Sequence, residues 1–404
     1  MIAYCAESRV IPTIFETGKY VTLVLDMRLL PDPRYNRDWR MTIRGGITVL
    51  MNSGHLVRVP VLRYFYVMNL VILLLVLFLG GTLVISRVQR HPFHPWRNAP
   101  HARNVLLIGL GVLWMLDGLL QAQPLMVTEF VHELVVPLLN GQPRIVVRMM
   151  DVGMHLWNAH PLSWDIVAIW VQILIGLGII FGSDTGVRRL ALWISIGWGL
   201  IVWIGGEGLG SLLAGGSWFV GSPGSVILYV LAAFVVLKPP SVWLKPAFRD
   251  GVRKTLAGLW ALFALLQAMP GSGWWSTPKL GFDVFTEAQM AQPDFISAPL
   301  YRLAYLASHD PGLWNAIFVG LFFILSVIWG LSRPTRLMWI TTMAITVAIW
   351  WCGQDLGIFG GMGTDPNSGA MLLLGLIVYA DLAPVPGTSQ SDPPHEAERL
   401  TPSA

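Results

Sequence analysis

The residues of this chain that could do chemistry are acids and amides set among long apolar runs: Asp117, Gln121, Glu207, Gln267, Gln354 and Asp355. A carboxylate well inside an apolar span costs about 2.5–3.5 kcal/mol on insertion scales, so it must be protonated, paired or beside a water-filled pocket. Such a group can carry a proton or bind a ligand. The plainer alternative is a hydrogen bond between helices, or a cap on a neighbouring helix end. Asp117 shares a helical face with Trp114 and Gln121, because residues three, four and seven apart stack on one side of a helix. Glu207 lies in Trp203-Ile-Gly-Gly206-Glu207-Gly-Leu-Gly210, and Gln354 with Asp355 in Trp350-Trp-Cys-Gly353-Gln354-Asp355-Leu-Gly357. Glycines four apart, Gly206 with Gly210 and Gly353 with Gly357, are a spacing that lets helix backbones meet closely. A Gly-rich polar loop follows each segment, tolerated at membrane depth only where protein or water satisfies its backbone.

A second group lies between Pro124 and His160: His132, Glu133, His155 and His160, with Met149, Met150 and Met154. His and Met together can bind copper. No two of these histidines fall four apart on one clear helix, so the reading is interfacial histidines and gap-filling methionines, and no metal site is expected. His160 precedes Pro161, as Asp310 precedes Pro311. Each is placed to cap the helix that the proline opens.

These positions come in pairs because the chain contains itself twice. Residues 110–124 (LGVLWMLDGLLQAQP) and 256–270 (LAGLWALFALLQAMP) agree at nine of fifteen positions. The match resumes at Gln142-Pro143 and Gln292-Pro293, at Trp164 and Trp314, and at the Glu207 and Gln354 segments. Self-similarity at a fixed period reports architecture. Asp117 aligns with Phe263, His155 with Tyr305 and His160 with Asp310, so the copies differ in their ionisable groups.

The elements that must hold these residues are membrane helices. The 404 residues are 54% hydrophobic and 12% charged, against about 25% charged in a soluble protein. Mean hydropathy is +0.60. Nineteen tryptophans suit a chain with two membrane–water interfaces. A net charge of +4 without a dense basic stripe excludes a nucleic-acid partner and leaves the lipid bilayer. Cys5 and Cys352 are two distant thiols and form no redox motif. Walker A, HExxH and GxSxG motifs are absent. About nine spans of mostly apolar residues are expected, near 64–85, 104–121, 162–181, 190–206, 222–237, 255–267, 313–330, 337–351 and 369–380.

The expected fold class is therefore an all-α polytopic membrane protein with a tandem parallel repeat of a four-helix unit. Its parts are a polar N-terminal segment (1–62), a first span with a basic loop (63–103), repeats at 104–240 and 255–383, a linker (241–254) and a disordered tail (384–404). Lys and Arg gather in the loops at 87–103, 183–189, 238–254 and 332–336, which places those loops in the cytoplasm of a cell-membrane protein and the Glu207 and Gln354 loops outside. The basic N-terminal segment runs against that orientation.

The one-plus-three span layout, with VQILIGLGIIFG before Arg188-Arg189 and LFFILSVIWG before Arg333 and Arg336, resembles the DoxX/DoxD group of four-helix membrane proteins. The resemblance covers about 104–237 and 255–380 as two fused units. It implies a subunit of a membrane redox complex, with quinone as the cofactor and other membrane subunits as partners. The Glu207 and Gln354 loops depart from that group, and no catalytic residue carries over. The residues alone leave two further readings: a small-solute transporter whose pathway Asp117, Glu207, Gln354 and Asp355 line, and a non-catalytic scaffold.

Overall fold

The computed structural model describes residues 59–90, 100–183, 186–289, 292–359 and 363–382, with four short strands before residue 50. The chain divides into two compact units, Met1–Arg58 and Val59–Ala404. The tail expected to be disordered, 384–404, lies outside the described residues.

In the first unit, β1 (Thr13–Glu16) pairs antiparallel with β2 (Lys19–Thr22), and β3 (Met41–Thr42) with β4 (Thr48–Val49). The second unit is helical throughout its described residues. It opens with α1 (Val59–Arg90), α2 (His101–Gln121) and α3 (Met126–Glu129), followed by a π turn (Phe130–Val135) and a 3-10 turn (Val136–Leu139). Next come α4 (Arg144–Ala159), α5 (Pro161–Phe181), α6 (Val187–Gly205), 3-10 turns at Gly208–Ser211 and Trp218–Val220, and α7 (Ser225–Val236). Then follow α8 (Pro240–Trp243), α9 (Pro246–Ala268), α10 (Lys279–Ala288), α11 (Asp294–His309), α12 (Pro311–Leu331), α13 (Arg336–Gln354), a 3-10 turn (Asp355–Gly357) and α14 (Asn367–Asp381).

Six helices among the described residues are long and apolar enough to cross a membrane: α1, α2, α5, α6, α12 and α13. This makes the chain a membrane-embedded helical protein. Of the other three expected spans, α7 and α14 are apolar but only 12 and 15 residues long. The third, α9, has 23 residues but carries Arg249, Asp250, Arg253 and Lys254 in its first turns. Element lengths agree between the halves: α4 and α11 have 16 residues each, α5 and α12 have 21, and α6 and α13 have 19.

Local chemistry explains the boundaries. Pro161 and Pro311 open α5 and α12 at the position where no N–H is needed. His160 and Asp310 make no side-chain cap there, contrary to expectation. The far end of α5 is closed by Arg188, whose Nε donates to the Ile179 carbonyl at 2.8 Å. The far end of α12 is closed by Arg253, which donates to the carbonyls of Trp329 and Gly330. A cation at a helix C-terminus meets both the orphan carbonyls and the negative dipole end.

In the first half α2 packs on α5, and in the second α9 packs on α12. At the α2–α5 crossing a Cβ on Gly176 would stand 2.4 Å from the Gly111 carbonyl, so the close helix approach expected of small residues occurs here. The second half has an aromatic core. Trp218, carried on the loop between α6 and α7, stacks on Phe263 with centroids 4.8 Å apart and meets Trp260 edge-on. Gln267 is fully buried beside it, donating to Asn315 Oδ1 at 2.6 Å and accepting from Ser217.

Candidate functional site

Residues of both halves line one cleft. A cleft of about 500 Å³ lies where the C-terminal ends of α2 and α6 meet the start of α7, the π turn and the residues following α13. Its walls carry four acids (Asp117, Glu207, Glu287, Asp365), four amides (Gln121, Gln172, Gln354, Asn367) and three indoles (Trp114, Trp157, Trp198). Phe263, aligned with Asp117, lies in the aromatic core under Trp218.

Three of the four acids are held by their neighbours. Asp117 projects from the buried face of α2, and its Oδ1 accepts from the Tyr229 hydroxyl at 3.3 Å; its Oδ2 has no partner. Gln121, one turn on, donates to Asp165 Oδ1 at 2.6 Å, a bond matched in the second half by Gln267 and Asn315. Glu207 leaves the end of α6. Its Oε1 accepts from the Ser225 hydroxyl at 3.2 Å, the Val226 N–H points at the same carboxylate, and Oε2 has no partner. Asp365 accepts from the Asn367 N–H at 2.7 Å and from Thr364 at 3.2 Å, and Ser225 stands between it and Glu207. Burial, with the nearby Asp365 charge adding, pushes the Glu207 carboxyl up to about 8. Burial likewise raises Asp365. On α10, burial followed by the charges of Asp355 and Asp283 pushes Glu287 to about 8.

Gln354 shows what the fold alone requires at the matching position. Its Oε1 accepts from the Ser368 hydroxyl at 3.5 Å and the Gly369 N–H at 3.0 Å, as Glu207 does from Ser225 and Val226. Its Nε2 then donates to the Trp218 carbonyl at 2.7 Å, so both ends of the amide are engaged. An amide satisfies this place in the structure. The carboxylate at 207 instead leaves one oxygen unbonded in the cleft, a costly arrangement for a buried group.

The two glycine-spaced segments turn out to be helix exits. Gly208, Leu209, Gly210 and Ser211 are all left-handed, with φ of 55–59°, and Asp355, Leu356 and Gly357 have φ of 45°, 55° and 67°. Gly210 and Gly357 therefore lie beyond α6 and α13, not on a helix–helix interface as their spacing suggests. Close approach remains the reason for glycine: a Cβ on Gly210 would fall 1.8 Å from the Pro223 carbonyl, and one on Gly353 would fall 2.1 Å from the Phe219 carbonyl. A Cβ on Gly206 would meet Val202 of its own helix, 3.0 Å from the carbonyl oxygen and 3.7 Å from Cγ1. Gly210→Ala is expected to destabilise the protein by about 3 kcal/mol, through strain at positive φ and a displaced loop, whereas Gly206→Ala changes stability by less than about 1 kcal/mol. Thermal melts of the two variants in detergent check this contrast.

The cleft thus brings together Asp117, Gln121, Glu207 and Gln354 from the sequence-based candidates. Asp355 is buried with both carboxylate oxygens unpartnered and lies off the cleft wall. Gln267 belongs to the second-half core. His132 and Glu133 are exposed on the π turn, 2.8 Å apart, and their ligand atoms lie within 4.8 Å of one another and of Glu129. His155 is exposed and bonded to the Asp151 carbonyl, and His160 and Asp310 are exposed at helix breaks. None of these five lines the cleft. The sequence reading missed Asp165, Gln172, Tyr229, Glu287 and Asp365. Asp165 and Asn315 lie 150 residues apart as Trp164 and Trp314 do, so the repeat itself was a signal for the first. Comparison with protein-family models, curated proteins and solved structures found no match to this chain.

Proposed function

We propose that this chain is a nine-span protein of the cell membrane, a tandem parallel repeat of a four-helix unit, whose acid-lined cleft binds a small organic cation in exchange for protons. The carrying observation is that Glu207 Oε2 and Asp117 Oδ2 are both buried without partners on one cleft wall, with Asp365 beside Glu207. Carboxylates crowded in a buried site cannot all ionise at once. A cation entering among them replaces a proton and supplies the missing partner. The Trp114, Trp157 and Trp198 rings suit the same ligand, because a cation over an indole face gains about 0.5–2 kcal/mol. By the distribution of Lys and Arg the cleft faces outward, which makes this a solute-handling protein of the transporter class.

A choline-binding test discriminates by charge. Choline and its uncharged isostere 3,3-dimethylbutanol are titrated against the purified full chain. Choline should bind at least tenfold more tightly, and Asp117→Asn should lower that affinity tenfold or more. Equal affinity for the two, or none for either, contradicts the proposal.

One observation favours the quinone reading that the DoxX resemblance implies. The Trp198 Nε1–H is buried on the cleft wall without an acceptor and is placed to donate to a ligand carbonyl. In that reading a short-chain ubiquinone binds in the cleft and choline does not displace it. A scaffold role predicts that Glu207→Gln alters neither ligand.

A further inference from the structure

The end of the helices away from the cleft has a pocket of opposite charge. The first residue of α14, Asn367, lines the acid cleft, whereas its C-terminal end, at Tyr379, lines a second cavity of about 420 Å³. Lys245, Arg249, Arg253 and Arg333 converge there, with Trp243 and Tyr379 as aromatic walls.

Much of that charge is uncompensated. Arg253 is spent on Asp250, at 2.8 Å, and on the carbonyls ending α12. Asp250, the one acid lining the pocket, is also engaged by Lys254 at 3.0 Å. Among the described residues no carboxylate pairs with Lys245, Arg249 or Arg333. The Arg249 guanidinium lies 5.6 Å from the centroid of the Tyr379 ring. Trp243 is 3% exposed, and its indole N–H has no acceptor. A buried donor and three free cations in one cavity call for an anion with several acceptor oxygens, and the start of α9 adds its positive dipole end. The flanks are apolar and open: Leu244 is 75% exposed and Leu331, two residues before Arg333, is 84% exposed.

We infer that this pocket binds the phosphate of an anionic phospholipid headgroup, with the acyl chains lying along the exposed leucines. Basic pockets between membrane helices on the Arg-rich side are suited to such headgroups, and Arg meets a phosphate with two parallel N–H groups.

The test uses the full chain in detergent, with phosphatidylglycerol, phosphatidylcholine or inorganic phosphate added. Phosphatidylglycerol should raise the melting temperature by about 3–6 °C, and phosphatidylcholine should not. Arg249→Gln with Arg333→Gln, and separately the milder Trp243→Phe, should each weaken phosphatidylglycerol binding at least tenfold by native mass spectrometry. Arg144→Gln with Arg148→Gln, on α4, should leave it unchanged. If the double variant does not fold, Trp243→Phe carries the test. A phosphatidylglycerol shift that survives these changes, or the absence of any shift, overturns the inference. An equal shift from inorganic phosphate, lost in the same variants, overturns the lipid source and leaves a free-phosphate site.

Discussion

Glu207→Gln is expected to lower the affinity of the cleft for a small cation by about tenfold to a hundredfold while leaving the fold intact. A tenfold to hundredfold loss corresponds to about 1.4–2.8 kcal/mol, the scale of one ionic contact made in a buried site. The fold should survive because Gln354 already occupies the matching place with the same kind of serine and backbone partners. A stability effect accompanies the loss. The Glu207 carboxyl titrates at about 8 in the folded chain against 4.5 for an unperturbed glutamate. A raised carboxyl contributes stability that is fully present below the unfolded value and is lost as pH climbs through the folded one. The parent protein should therefore lose melting temperature between pH 5 and 9, and Glu207→Gln should lose less, gaining on the parent as pH rises. Glu287, also near 8, keeps part of the slope in the variant. Choline titrations and thermal melts across this range measure both effects.

The reverse exchange has the opposite outcome. Gln354→Glu replaces an amide whose Nε2 donates to the Trp218 carbonyl at 2.7 Å with a carboxylate facing that same oxygen. Gln354 is 3% exposed, so water cannot replace the lost partner. An uncompensated buried charge costs about 3–5 kcal/mol. The melting temperature should fall by about 10 °C, since a chain of this class loses a few degrees per kcal/mol. The damage extends to Trp218, whose backbone Gln354 holds and whose ring stacks in the second-half core. Circular dichroism melts in detergent read the loss directly. A variant as stable as the parent would show that position 354 is not the structural counterpart of position 207.

The repeat made the skeleton of this arrangement legible. Trp203 and Trp350, found from sequence alone, make the same bond, donating to the carbonyls of Pro223 and Pro366 at 2.8 and 2.6 Å. Comparing the copies singled out Glu207 and Gln354 because both stand after a tryptophan at the close of an apolar run. What could not be read is which member of each pair keeps a free atom. That depends on Trp218, whose carbonyl satisfies Gln354 and whose ring fills the second core, and Trp218 sits in a loop where periodicity carries no information. Asp365 and Glu287 escaped notice for related reasons, one in a loop and the other on a short amphipathic helix outside the apolar runs. The glycine spacing misled because α6 and α13 end just before Gly210 and Gly357, in left-handed turns that hydropathy does not reveal. The six helices able to cross a membrane were legible because length and apolarity coincide in them, which is not so in α7, α9 and α14.

Proton release on ligand binding tests the central claim most directly. Choline is added at pH 7 to the purified full chain in weakly buffered detergent, and protons are counted with an indicator dye. About one proton should be released per choline bound, and none in Glu207→Gln even at saturating ligand. Binding without proton release in the parent chain, or unchanged release in the variant, would contradict that claim.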